Sequence, residues 1–407
     1  MKIAYFTNFL FHHQYPLCEL MMNEPDVEFT FVCTERMSEE RIAMGYEDLS
    51  TLPYVIRSFE SPESFQRAME VAKTADVCLF GSTPPEFIYE RMKLNKLTFR
   101  YCERALRKGE WRRFIPITAY KIYKQYIRYR KKNLYILSAS SYTSHDLALF
   151  GFDISKCFKW GYLPKVTKYE KFDEFMSKKR PNHIIWVGRF IDCKHPEFAI
   201  AGLKAIKDKG LDFTCEFVGN GPLLEVSKKK VVEVGLDKQV SFVGALKPNE
   251  VRKRMENASV FIFNSDRYEG WGAVVNEAMN AGCAVLVSHV VGSAPFLIRQ
   301  DVNGRVYEYG NSNEFVASLE YYLTHSKEVT EMGLEAYKTM TGLWNIEIAV
   351  PRFLNMVRAL LAGNKIPLYE VGPCSKATDI NTDWYGRKKN TCCYSRCRYR
   401  RSDILCS

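Results

Sequence analysis

No apolar run in this 407-residue chain approaches the roughly 18 residues that cross a bilayer, which excludes a conventional membrane-spanning helix. The opening apolar stretch is broken by Thr7, Asn8, His12 and His13, and no small-residue cleavage site follows. It reads as a first buried strand rather than a signal peptide. Also missing are a short-period repeat and an Asp-x-Asp pair placed to hold a cation. The thirteen cysteines include no C-x2-C pair, and the last four have no nearby histidine to support the zinc knot they could otherwise form. Cys33, Cys78, Cys215 and Cys283 each sit within apolar runs, a pattern of buried thiols in a reducing cytosol rather than a disulfide framework. Cys392, Cys393, Cys397 and Cys406 lie instead among arginines and tyrosines, in a basic tail (363–407) expected to be poorly ordered.

What is present is positive charge, +11 overall and gathered in two places. Between Arg104 and Lys132 there are eleven Arg/Lys against one acid, Glu110. Seven more basic residues and no acid lie between 387 and 401. Lys121, Lys124, Arg128 and Lys131 follow a spacing that places them on one face of a helix over about 112–132. Tyr120, Tyr123 and Ile127, with Tyr126 beside them, form an aromatic band on another face. Such a helix suits the headgroup layer of an anionic membrane. A solvated basic face over core-packed tyrosines is the other reading. Nucleic-acid binding is disfavoured, because no groove-reading or single-strand motif accompanies the charge.

Length and patterning imply two α/β domains and a tail. In the first, over 1–165, strands are expected at 3–6, 28–33, 77–80, 97–99 and 134–139, with helices at 62–73 and 85–93 among them. A lysine-rich connector near 167–181 leads into the second domain, over 166–343. Its strands are expected at 183–187, 212–218, 240–243, 259–263 and 284–287, separated by helices at 196–207, 222–233, 248–256 and 273–281. This alternation makes parallel sheets covered on both faces. Two doubly wound, Rossmann-like domains then face each other across a cleft, with ligands beyond the carboxyl ends of the strands. Helices over 344–362 are expected to cross back onto the first domain.

The most informative stretch is 264–295. An apolar strand runs into a polar turn with glycines at Gly270 and Gly272, then into an alanine-rich helix from Ala273 and a second buried strand. Glycines let a ligand approach the backbone, and the helix start offers unpaired N–H groups to an anion. Glu269 and Glu277 frame this junction. Were both on the helix, they would stand roughly 12 Å apart along its axis. Glycosidase carboxylates stand about 5–9.5 Å apart, so the pair looks like a clamp rather than an acid/base dyad. Two carboxylates at one spacing are also what solvated helix ends look like; the surrounding strands and glycines favour the clamp. A ligand with a phosphate in the middle and hydroxyls at both ends, such as a nucleotide sugar, fits.

Further strand ends point into the same cleft. Gly188-Arg189 closes one strand and Lys194 follows shortly after, so Arg can grip a diphosphate bidentately while Lys acts as a point charge. A pair of solvated loop cations is the alternative. Phe217-Val-Gly-Asn-Gly-Pro222 and Val240-Ser-Phe-Val-Gly244 end the next strands in glycine turns.

Taken in order, Gly188-Arg189…Lys194, Phe217–Pro222, Val240–Gly244 and Glu269-Gly-Trp-Gly-Ala-Val-Val-Asn-Glu277-Ala resemble the donor half of the retaining glycosyltransferases of family 4, which have the GT-B fold. The likeness spans about 183–308 and is nearest to bacterial members that build capsule or exopolysaccharide. The first half matches more loosely, through Asn8…His13-Gln14 and Ser138-Ala-Ser-Ser-Tyr-Thr143. The resemblance implies that Arg189 and Lys194 bind the donor diphosphate, Glu277 the ribose and Glu269 the transferred sugar. Backbone N–H groups of Gly270, Trp271, Gly272 and Ala273 complete the sugar and phosphate contacts. The base, UDP- or GDP-type, lies near Asn220, Gly244 and Leu246. No metal is required, because fixed cations and a helix start stabilise the charge left on the diphosphate. With retention, the leaving phosphate oxygen can take the acceptor proton.

The chain departs from the family where many relatives have a Gly-Gly pair, carrying Asn8–His13 after the first strand instead. His13 is then the first-domain catalytic candidate, with Tyr101 and Glu103 behind it. The function implied is transfer of a sugar from a nucleotide sugar to a lipid-linked or oligosaccharide acceptor, peripherally at the inner face of the cell membrane. A GT-B-like nucleotide-sugar epimerase and a non-catalytic membrane or nucleic-acid adaptor are the competing readings.

Overall fold

Short runs of β-branched and aromatic residues build two sheets in a computed structural model that describes residues 1–380 apart from 12, 40, 41 and 43–46. The first sheet contains β1 (Lys2–Thr7), β2 (Glu28–Cys33), β3 (Val55–Arg57), β4 (Val77–Phe80), β5 (Thr98–Cys102), β6 (Leu134–Ser138) and β7 (Cys157–Lys159). The second contains β8 (Arg180–Val187), β9 (Thr214–Val218), β10 (Val240–Gly244), β11 (Ala258–Phe263), β12 (Ala284–Ser288) and β13 (Gly304–Tyr307). Their orders are β3-β2-β1-β4-β5-β6-β7 and β10-β9-β8-β11-β12-β13, and the named strands pair in parallel throughout. Both orders reverse direction once, between β1 and β4 and between β8 and β11, which is where a doubly wound sheet opens a crevice.

The central strands are apolar on both faces, as helix-covered parallel strands must be. Phe6 lies opposite Val32 and Phe80 in one sheet, and Trp186 opposite Phe217 and Ile262 in the other. Helices Pro62–Thr74, Pro85–Lys93, Pro116–Gln125, Pro196–Asp208 and Pro248–Asn257 start on proline, whose fixed φ and missing N–H suit a first turn. Ser61 caps the first of these, accepting from the Ser64 N–H at 3.1 Å.

Helix Ile346–Leu361 returns the chain to the first sheet. Phe353 meets Phe99 and Trp160 edge-on at 5.1 and 5.6 Å, and Arg358 pairs with Asp26 at 2.7 Å.

The connector expected near 167–181 contains a short helix, Phe172–Ser177, and β8 already begins at Arg180. The single basic helix expected over about 112–132 is corrected to a helix Pro116–Gln125 flanked by the 3-10 turns Glu110–Phe114 and Ile127–Tyr129. The break falls at Tyr126 (φ −134°, ψ −55°), whose ring is buried beneath the Arg100 guanidinium. Ile127 and Tyr129 follow it into the core. Arg128 and Lys131 therefore do not continue the helix face of Lys121 and Lys124.

The first part of the tail reaches the edge of the first sheet: the Cys374 N–H donates to Lys159 (2.8 Å), the Lys159 N–H to Ser375 (2.8 Å) and the Ala377 N–H to Cys157 (3.0 Å). Cys374, Ser375 and Ala377 are buried along β7. Cys392, Cys393, Cys397 and Cys406 lie outside the described residues.

Candidate active site

The loops after β8 and β11, on either side of the switch point, are stitched together. The Asp266 N–H donates to the Cys193 carbonyl at 3.0 Å. This brings Lys194 onto Glu269 in an ion pair, with its ammonium 4.6 Å above the Phe263 ring. His195, in the left-handed region at φ 48°, bonds Glu197 (2.7 Å) and Asp266 (3.3 Å) through its two ring nitrogens. The Asp266 and Glu197 carboxylates raise its pKa to about 9. Arg189 is exposed on the first of these loops.

Gly270 brings the loop after β11 against the first domain. A Cβ there would stand 2.0 Å from the Glu103 carboxyl, at the carboxyl end of β5. Gly272, at φ 86°, then turns the chain into helix Ala273–Asn280. The N–H groups of Trp271, Gly272 and Ala273 have no acceptor among the described residues, leaving a row of donors at a helix start. The Trp271 side chain is buried instead of facing a ligand. Its Nε1 donates to Asn276 at 2.9 Å, and its ring fills the space beside Gly161 of the first domain.

Glu277 lies one turn into this helix, and its carboxylate makes no hydrogen bond or ion pair among the described residues. Desolvation pushes its carboxyl up to about 7, against a smaller opposing pull from Arg252. Asn220 and Gly244 are tied to the same end of the sheet: the Phe190 N–H donates to the Asn220 carbonyl (2.9 Å), and the Gly219 N–H to that of Gly244 (2.8 Å). Leu246 packs half-buried against the core beside them.

Across the cleft, Glu103 accepts from the Tyr162 hydroxyl at 3.1 Å and pairs with Arg107 at 3.1 Å. Burial raises its pKa, and the Glu269 charge adds to the effect. His13 lies beside Tyr162, with ring centroids 6.4 Å apart. Of the first-domain candidates, Glu103 is the one set against the Gly270 loop. Nothing in the local sequence around Arg100–Arg104 signals this, because the contact joins residues far apart in the chain. The segment after β6 completes the junction. The Ser141 hydroxyl donates to the Gly292 carbonyl at 2.8 Å, and the Tyr142 hydroxyl to that of His289.

No helix among the described residues is long and apolar enough to cross a membrane. The arrangement offers amides and cations for a bound anion, with carboxylates on either side for hydroxyl groups.

Comparison with known proteins agrees with this architecture. Residues 167–339 match the family described as glycosyl transferases group 1. An uncharacterized glycosyltransferase of Methanocaldococcus jannaschii is 28% identical over 134 residues, a match covering 33% of this chain and 33% of that protein. Anabaena HepE, solved in complex with UDP, superposes with a TM-score of 0.66 at 11% identity, covering 88% of this chain and 100% of that one. The sucrose-phosphate synthase of Thermosynechococcus elongatus gives 0.63 at 15% identity, covering 89% and 100%. Staphylococcus aureus TarM gives 0.62 at 11% identity, covering 88% and 99%. The two-domain arrangement shared with these structures is the GT-B fold.

Proposed function

We propose that the protein is a retaining glycosyltransferase of family 4 that moves a sugar from a UDP- or GDP-linked donor to a lipid-linked glycan acceptor. The observation that carries this reading is the row of unpaired amides at Trp271–Ala273, beside the Lys194–Glu269 pair and the unbonded Glu277. Donor binding by HepE, solved with UDP and with UDP-glucose, is consistent with it.

On this reading Arg189, Lys194 and the amides receive the diphosphate. Glu277 accepts from the ribose hydroxyls and Glu269 from those of the transferred sugar. Breaking the bond between the sugar carbon and the phosphate oxygen leaves both bonding electrons on that oxygen. The fixed donors stabilise this charge as it develops, without reorganisation and without a metal ion. The acceptor oxygen bonds to the same face of the sugar carbon, and its proton passes to the departing phosphate oxygen. Glu103 and Tyr162 border this space on the acceptor side.

The exposed side chains Trp111, Phe114, Ile117, Tyr120 and Tyr123, among Arg112, Arg113, Lys121 and Lys124, support peripheral attachment to an anionic membrane at its cytoplasmic face. Such enzymes serve capsule or exopolysaccharide assembly. The test is a thermal-shift screen with UDP-, GDP- and ADP-sugars, followed by turnover with the best donor in the presence of EDTA. Stabilisation by one donor and sugar transfer insensitive to EDTA are expected. No shift with any donor, or isomerisation of the sugar without transfer, would overturn the proposal.

A further inference from the structure

An opening in the first domain is lined by none of Arg189, Lys194, Glu269 or Glu277. It is a cavity of about 770 Å³ at the carboxyl ends of β1, β4, β5 and β6. Arg100, Arg104, Arg107, Lys108, Arg112 and Lys121 line it, and Glu103 is the one carboxylate among its lining residues. Surplus surface cations would mean little, but two of these are not on the surface. Arg100 is 7% exposed and Arg104 3%.

Neither guanidinium is satisfied. Arg104 grips Asp146 through Nη2 (3.1 Å) and Nε (3.4 Å), while its Nη1 has no acceptor among the described residues. Arg100 donates only weakly to the Tyr126 hydroxyl, at 3.4 Å, and its Nε has no acceptor there either. Arg104 thus keeps one unpaired nitrogen beside its Asp146 partner, whereas Arg100 is a buried cation with no ion pair among the described residues; an anionic ligand would offset the cost of burying it.

The surroundings narrow the anion's identity. Ile117 and Lys121 belong both to the cavity wall and to helix Pro116–Gln125, whose outer side exposes Tyr120 and Tyr123. Phe114 (74% exposed) stands just before that helix. The cavity therefore has cations within and an apolar rim outside. On its other side Glu103, Tyr162 and Tyr268 bring it to the cleft, where Glu103 abuts Gly270.

Resting on the transferase reading above, we infer that this cavity receives the phosphate or diphosphate group of the acceptor, and the rim its lipid chain. The sugar attached to that group then points toward the donor loop. Lys and Arg N–H groups donate hydrogen bonds to phosphate oxygens, the guanidinium in pairs.

The test is calorimetric titration of the full chain with inorganic pyrophosphate and with farnesyl diphosphate, each with and without saturating UDP. Both probes are expected to bind alongside UDP, farnesyl diphosphate the more tightly. Arg100→Gln should weaken both by about tenfold or more while leaving the melting temperature unchanged or higher, since it removes an unpaired buried charge. Lys121→Gln, at an exposed position, should weaken both less and serves if the first variant misfolds. Phe114→Ser with Tyr123→Ser should weaken farnesyl diphosphate alone.

Loss of all pyrophosphate binding at saturating UDP, or affinities measured with UDP present that are untouched by Arg100→Gln and Lys121→Gln, would overturn the inference. Equal affinity for the two probes would overturn its lipid part. Failure of the donor reading looks different: UDP would not bind, or would bind Glu277→Ala as well as the parent chain, while the pyrophosphate arm still reports on the cavity.

Discussion

The two domains share one architecture and solve opposite electrostatic problems. Around the switch point of the second sheet the cations are few. Lys194 has Glu269, and His195 has Asp266 and Glu197. The first sheet ends instead in a cluster of arginines and lysines that Glu103 and Asp146 only partly balance. The second domain is thus arranged around amides and matched charges, suited to a ligand carrying polyols and a diphosphate together. The first is arranged around net positive charge beside exposed aromatics, suited to an amphiphile. The strand order of a doubly wound sheet says where a ligand sits; the loops decide its chemistry.

The contrast is broken most severely at the diphosphate. Arg189→Ala should lower kcat by roughly 100-fold or more with donor KM changed far less, because the charge it meets develops in the transition state. An equal loss in acceptor KM with kcat intact would place Arg189 on the wrong side of the division.

Next in size is the aromatic surface of the first domain. Phe114→Ser with Tyr123→Ser should weaken binding to phosphatidylglycerol vesicles by about tenfold, through lost apolar burial, and leave soluble UDP binding unchanged. Co-sedimentation and a UDP titration of the same variant check both halves.

Glu277 sharpens the comparison through pH. Its carboxyl titrates near 7 when free. On the proposed function, ribose hydroxyls that donate to the charged form would lower that value, so that binding would release a proton. Donor affinity should then fall as pH drops through 7, by up to about tenfold per unit, and Glu277→Gln should abolish this slope. A donor Kd independent of pH between about 5.5 and 8 would remove Glu277 from the donor site.

The smallest effect is on stability. The His195 pKa is raised to about 9 from an ordinary value near 6.5, so its charged form favours the folded state. That contribution is complete below about pH 6.5 and is lost as pH rises through about 9. His195→Gln should remove on the order of 1 kcal/mol of this pH dependence, read from denaturation midpoints across the window.

Much of the scaffold is legible in the sequence where chemistry is local. Runs such as Glu28–Cys33 and Val77–Phe80 declare buried strands, and the glycines after β11 mark the turn into helix Ala273–Asn280. Val55–Arg57 and Cys157–Lys159 are only three residues each, too short for any alternation to stand out. The break at Tyr126 was equally hidden, since the spacing of Lys121, Lys124, Arg128 and Lys131 fits an unbroken helix. Only the burial of Tyr126, Ile127 and Tyr129 against the sheet overrides it. The meeting of Glu103 with Gly270, and the unsatisfied nitrogens of Arg100 and Arg104, depend on how distant segments fold together.

The segment that lies beside β7 has a practical meaning for handling the protein. An outermost strand with bare amides and carbonyls is a template on which another chain can assemble. Here Cys374, Ser375 and Ala377 occupy those positions from within the same molecule. Shortening the chain before Gly372 would strip that guard, so a truncated preparation is expected to self-associate even though both lobes keep their cores.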